Sequence, residues 1–241
     1  MSYRSRYIVS DEHRFVYCVV QKVACTSIKT ALLPLFNVDP ESYRTINNSG
    51  RSVVKVHKLY DKSPFQIYQR ELVKRLEQND FRDYFKFVFV RNPFDRLVSS
   101  YTEKIVGPGI WNRGQGSEHI RKGMTFEKFV EAVHAVPDEK TNPHFRSQHV
   151  SLLKPDGGLF PEFVGRFESL DRDFAYVAKK LNVPGLELPH ANRSKRHAQP
   201  KFFSLRSFRR NKAYRDYYDN HTRSLTEERF ARDLELFGYS F

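Results

Sequence analysis

The sequence predicts an α/β fold, a central parallel sheet flanked by helices, in a single domain covering residues 1–241. Three observations predict it. Two continuous apolar, β-branched and aromatic runs, Phe15–Val20 and Lys86–Val90, have the composition of strands buried on both faces. Each is followed by a short turn and then by apolar residues at helical spacing, which is the signature of strand-turn-helix units. A chain of 241 residues without an internal repeat suits one substantial domain rather than two.

Taken in order, Phe15–Val20 should be a central strand, and Gln21–Ser27 the turn after it. Ile28, Ala31, Leu32 and Leu35 then recur along a helix that Pro34 should end or kink. Thr26 or Ser27 suits the N-cap, and a helix start beside Lys22 is a ready anion site. Ser52–Val56 is a short β-like run ending at His57, and 64–79 has helical character through Ile67, Leu72 and Leu76. Lys86–Val90 repeats the first unit, with Arg91-Asn92-Pro93 as its turn and a helix over 94–104 whose first turn accepts Pro93. Three such units imply parallel strands with right-handed crossovers. Further on, 125–136 is helical with Phe126, Phe129, Val130 and Val133 on one face, Phe163–Phe167 is a strand leading to a helix over 169–181, and 226–236 is the last helix. The stretches 105–123, which holds Trp111, and 189–200 are loops long enough to be functional.

Lys and Arg number 41 against 28 Asp and Glu, a formal charge of +13. The partner is therefore expected to be an anion: nucleic acid, an anionic membrane or a polyanionic ligand. Basic residues are spread along the chain, with clusters at 193–196 and 206–212, and no zinc-finger spacing, RNA-binding aromatic signature or basic heptad occurs, so no nucleic-acid partner is expected. No apolar run approaches the roughly 20 residues that span a bilayer, and Met1–Asp11 is polar. The expectation is a soluble cytoplasmic protein with no membrane partner. Two cysteines, Cys18 and Cys25, make no disulfide framework and fit a reducing compartment.

Two strand-to-helix turns, each with a cation and hydroxyls, should lie at the carboxyl edge of the sheet, where α/β folds bind ligands. The first carries Lys22, Thr26 and Ser27; the second carries Arg91 and, two helical turns on, Ser99. Two phosphate-sized sites are implied. The consensus G-x-x-x-x-G-K-[ST] is absent, and no glycine occurs before Gly50, which argues against an ordinary nucleoside-triphosphatase or kinase loop.

The string Q-K-V-A-C-T-S-I-K (Gln21–Lys29) resembles the 5′-phosphosulfate loop of the carbohydrate sulfotransferases, the group containing the chondroitin 4-O- and HNK-1 enzymes. K-F-V-F-V-R-N-P-F-D-R-L-V-S-S-Y (Lys86–Tyr101) resembles their 3′-phosphate motif. Weaker echoes follow in order: His57, H-F-x-x-Q (His144–Gln148), F-V-G-R-F-E-S-L-D-R-D (Phe163–Asp173), N-R-S (Asn192–Ser194) and D-L-E-L-F-G-Y (Asp233–Tyr239). The resemblance implies a P-loop-like fold and transfer of a sulfuryl group from 3′-phosphoadenosine 5′-phosphosulfate (PAPS) to a hydroxyl, often of a sugar. It assigns Lys22, Val23, Ala24, Cys25, Thr26 and Ser27 to the 5′-phosphosulfate, with Lys22 neutralising the leaving phosphate, and Arg91 and Ser99 to the 3′-phosphate. Arg166 is either a donor contact or a partner of Glu168, and Asn192, Arg193, Ser194 and Lys195 are either a solvated basic loop or, the reading favoured, a lid over the nucleotide. His57, placed like the catalytic histidine of uronyl 2-O-sulfotransferases, is the expected base; His144 is the alternative base or an acceptor contact. The other seven histidines and Asp233, Phe237, Gly238 and Tyr239 are expected to be structural, Cys25 a small buried residue, and no metal is needed. Golgi members carry a membrane anchor and an L-C-x-P-C segment; the corresponding Leu152–Asp156 has no cysteine, in keeping with a soluble bacterial-type enzyme. A non-catalytic polyanion-binding protein on the same fold is the other reading.

Overall fold

The computed structural model describes residues 5–46, 52–61, 63–107, 119–154, 156–189 and 213–241. The loop residues around Trp111, the basic clusters of 193–212 and the lid residues Asn192, Ser194 and Lys195 lie outside them. The described chain forms two compact units, one from residues up to Val90 with Ser151 onward to 189, the other from Arg91–Val150 with 213–241.

The first unit holds a five-stranded sheet in the order β5-β1-β2-β6-β7. Its strands are β1 (Arg6–Ser10), β2 (Phe15–Val19), β5 (Gln66–Tyr68), β6 (Phe85–Val90) and β7 (Phe163–Arg166). β2, β6 and β7 are parallel, with Tyr17 opposite Phe87 and Val88 opposite Val164. These are the predicted strands. All of β2 is buried, as is β6 from Phe87 to Val90, which is why both read as unbroken apolar runs. Each such side chain withdrawn from water contributes roughly 1.5–3 kcal/mol. Gly165 pairs with Phe89, and a Cβ there would stand 2.6 Å from the Phe89 ring, so β7 approaches β6 only because the position is glycine.

The sheet is mixed rather than wholly parallel. β1 runs antiparallel to both β2 and β5. β1 escapes the sequence pattern because its apolar core is only Tyr7-Ile8-Val9 between polar flanks. Gln66–Tyr68, expected inside a helix, pairs with β1, and the helix α3 begins only at Gln69 and runs to Glu77. Ser52–Val56 does not enter the central sheet: β4 (Ser52–Val54) pairs with β3 (Arg44–Ile46) in a separate two-stranded sheet, and α2 (Val56–Asp61) follows. His57 thus sits on a helix, not at a sheet edge. Three β-like residues specify a strand but not its partner. Helix α1 (Cys25–Leu32) gives way to a 3₁₀ turn, Leu33–Phe36, where Pro34 enters, as expected. After β7 a 3₁₀ turn, Phe167–Ser169, leads into α6 (Leu170–Lys180).

The second unit is helical. α4 (Pro93–Ser100) runs into a π-helical turn over Tyr101–Val106, and α5 (Phe126–His134) follows. The predicted last helix is two, α7 (Asn220–Arg229) and α8 (Ala231–Phe237), broken at Phe230, whose backbone leaves helical geometry while its ring fills the core. That core packs Leu97, Ile105, Ile120, Phe129, Val130, Val133, Phe145 and Phe230.

Candidate active site

In the first unit, β2 delivers the chain into the turn before α1, and the turn is unusual for lacking glycine. Lys22 and Ala24 both adopt left-handed backbone, at φ 71° and 63°. Such alternation turns successive N–H groups toward one concavity, the geometry of an anion-binding nest. Ala24 is the N-cap of α1, a residue with no side-chain acceptor, and the first helical turn contains no acidic residue. Nothing negative in that turn competes with an incoming phosphate or sulfate. Val23 and Cys25 are buried, so what they can offer a ligand is backbone; Lys22, Ala24 and Thr26 are half-buried. Cys25, a buried thiol, donates from Sγ to the neutral amide oxygen Gln21 Oε1 at 3.6 Å.

His57 joins this turn from α2. Its Nε2 is 3.0 Å from Thr26 Oγ1, and the Thr30 hydroxyl donates back to the Thr26 carbonyl at 2.9 Å, holding the helix that carries Thr26. Predicted separately, the turn and the histidine are one constellation.

Lys29, the last residue of the first motif, is fully buried on α1. Its Nζ donates to Gln66 Oε1 at 3.2 Å and lies 5.1 Å from the Tyr60 ring centre, while the Tyr60 hydroxyl donates to the Lys29 carbonyl. Gln66 in turn donates to Asp61 Oδ1. This network ties α1 to the helix bearing His57. Burial lowers the Lys29 pKa to about 8, Arg6 adding to the shift while Cys25 and Asp61 oppose it. The unfolded chain keeps this proton up to the ordinary lysine range, so between about pH 8 and 10 the unfolded state binds more protons and stability rises with pH. Lys29→Met should remove that rise. Urea midpoints at pH 7.5 and 9.5 check it, and an equal slope in both proteins would refute the assignment.

In the second unit, Arg91 is buried and its guanidinium grips Asp95, Nε and one terminal nitrogen each 2.9 Å from Oδ2. Ser99 follows Asp95 by one helical turn on α4 and is half-buried. Arg96 and Ser100, each one residue on from Asp95 and Ser99 along α4, hold the loop around His144. Arg96, buried, donates to the carbonyls of Arg146 and Pro143, and the Ser100 hydroxyl donates to the carbonyl of His144. Burial lowers the Arg96 pKa to about 10, with Asp233 and Asp138 opposing that shift. His144 Nδ1 is 2.8 Å from Asn142 Oδ1 within its own loop. Arg166, at the end of β7 in the first unit, is in register with Val90, and its backbone N–H donates to Asp173.

Sequence reasoning did not single out the buried Lys29 or Gln148, and it set Asp233 down as structural. Gln148 Oε1 accepts from the Arg91 N–H at 3.0 Å and its Nε2 donates to the Arg91 carbonyl at 2.9 Å. Lys29 and Gln148 fell inside quoted motifs, the only signal that marked them. Among the described residues, Glu127, Glu131 and His221 come together with metal-ligand spacing, but all three are exposed. No described helix is long and apolar enough to cross a membrane.

A family model described as the sulfotransferase family matches residues 5–240. Among curated proteins, carbohydrate sulfotransferase 11 of Rattus norvegicus is 31% identical over 221 residues, covering 78% of this chain and 56% of its own. Carbohydrate sulfotransferase 14 of Danio rerio is 28% identical over 191 residues, 73% of this chain and 48% of its own. Carbohydrate sulfotransferase 8 of Mus musculus is 27% identical over 239 residues, 89% and 54% respectively. The chain thus spans about half the length of the curated relatives it matches. No solved structure matches it significantly.

Proposed function

This chain belongs to the sulfotransferase family, and on that premise we propose that it moves a sulfuryl group from PAPS to a hydroxyl of a carbohydrate acceptor. The observation that carries the reading is the 3.0 Å contact between His57 Nε2 and Thr26 of the glycine-free turn, a base beside an anion nest. The turn's chemistry fits a phosphosulfate, since its backbone is bent to present N–H groups and its first helical turn has no carboxylate. PAPS supplies the sulfuryl group and a phosphate leaving group. Lys22 neutralises the charge that develops on the bridging oxygen as the S–O bond breaks, and the Thr26 and Ser27 side chains with the α1 N-terminus hold the 5′-phosphate. His57 takes the acceptor's proton as the new O–S bond forms. In this reading the Thr26 hydroxyl is the donor in their hydrogen bond, which leaves Nε2 unprotonated.

Arg91 and Ser99 hold the 3′-phosphate, a role resting on their motif; a guanidinium has five N–H donors and suits both a carboxylate and a phosphate dianion. Arg166 and the segment Asn192–Lys195 are further donor contacts, and His144 is the alternative base or an acceptor contact. Residues 1–241 work as one catalytic domain, without a metal. Location in the cytoplasm is supported by two buried cysteines, Cys18 and Cys25, that stay as thiols.

Thermal unfolding with adenosine 3′,5′-bisphosphate, beside heparin at matched ionic strength, and transfer of labelled sulfate from PAPS to a glycan panel test the reading. Stabilisation by the nucleotide should survive moderate salt and labelled glycan should form. No transfer, with only polyanion binding that vanishes in salt, would favour a non-catalytic binder.

A further inference from the structure

Arg91 leaves the end of β6 with a peptide N–H and C=O that need partners, and in this chain a single side chain supplies both. Gln148, 1% exposed, accepts from the N–H and donates to the C=O, at 3.0 and 2.9 Å, as a neighbouring strand would. An amide can do this in only one of its two orientations. Asp233 on α8, wholly buried, selects it: Oδ2 accepts from the Gln148 backbone N–H at 2.7 Å and stands 3.4 Å from Gln148 Nε2. The other carboxylate oxygen, Oδ1, is fixed by the His149 backbone N–H at 2.9 Å and by His149 Nδ1 at 2.8 Å. His149, Asp233, Gln148 and Arg91 therefore form one directed chain of hydrogen bonds, 57 residues apart in sequence at one step and 84 or 85 at the others.

We propose that Gln148 and Asp233 are positioning residues for nucleotide recognition: they set the backbone of Arg91 so that its guanidinium meets the donor's 3′-phosphate. A buried network with every hydrogen bond made costs more than its individual bonds when one member is removed. It also fixes the root of a long side chain whose own ion pair with Asp95 constrains only its tip. The inference rests on the reading of Arg91 as a 3′-phosphate ligand.

The test is a selectivity ratio, the Kd of adenosine 5′-monophosphate over that of adenosine 3′,5′-bisphosphate, by calorimetry on the full chain. Arg91→Ala should bring the ratio close to one. Gln148→Met, of similar volume but without the amide, should lower it about tenfold while changing the monophosphate Kd less than about twofold. A purely structural role would weaken both nucleotides alike and leave the ratio unchanged, which would overturn the inference. Should Gln148→Met fail to fold, Asp233→Asn is read in the same way: a lowered ratio supports the relay and an unchanged one refutes it. If Arg91→Ala itself leaves the ratio untouched, the donor reading of Arg91 is what fails.

Discussion

Lys22→Ala should lose about a hundred- to a thousandfold in the rate of sulfate transfer and keep its fold. The magnitude is that of removing one preorganised group from charge that develops in a transition state. Lys22 is half-buried in the turn between β2 and α1, and the strand and helix that build the turn are packed by other residues: Tyr17 and Cys18 before it, Ile28 and Leu32 after it, all wholly buried. Thermal unfolding should therefore move little. Its left-handed backbone is a second consideration, because alanine in that conformation is no better than lysine, and the turn's shape is held from either side. Single-turnover transfer with saturating PAPS separates the chemical step from donor affinity. A rate within about tenfold of the parent protein would remove Lys22 from the reaction.

His57→Gln is the second large effect, an expected loss of about a hundred- to ten-thousandfold in kcat, the range associated with a general base. Glutamine keeps a polar group for Thr26 Oγ1 and cannot take a proton at neutral pH, so donor affinity should stay within a few-fold. The acidic limb of the pH–rate profile should go with it. A variant that retains both rate and limb would transfer the role to His144, whose Nδ1 is engaged with Asn142 in a loop held by Arg96 and Ser100.

What was legible in the sequence had a physical reason to be. β2, β6 and β7 are buried enough to leave continuous apolar runs, and the turns after the first two carry cations and hydroxyls that motif spacing brings out. β1 and β5 were illegible because three apolar or polar residues pair only when a neighbour is already in place; Gln66 is a strand residue because β1 lies beside it. His57 was expected at the end of a β-like run, whereas α2 carries it to the turn at Thr26. The hydrogen bonds from Gln148 and His149 to Asp233 cross more than eighty residues, and no local pattern encodes them. Lys29 looked like an ordinary helix lysine because its partners, Tyr60 and Gln66, are 31 and 37 residues away.

The turn without glycine has one more consequence, which concerns the unfolded chain. Left-handed backbone at Lys22 and Ala24 strains the native state by roughly 1–2 kcal/mol per residue. Glycine would relieve that strain but would widen the set of conformers the disordered chain explores, making each such position roughly 0.5–1 kcal/mol harder to order. The strain is about twice the entropic effect, which leaves a net cost on the order of 0.5–1 kcal/mol at each position. The turn is therefore kept in shape by its neighbours rather than by permissive residues, and a search keyed to glycine would pass over it although its left-handed bend is present.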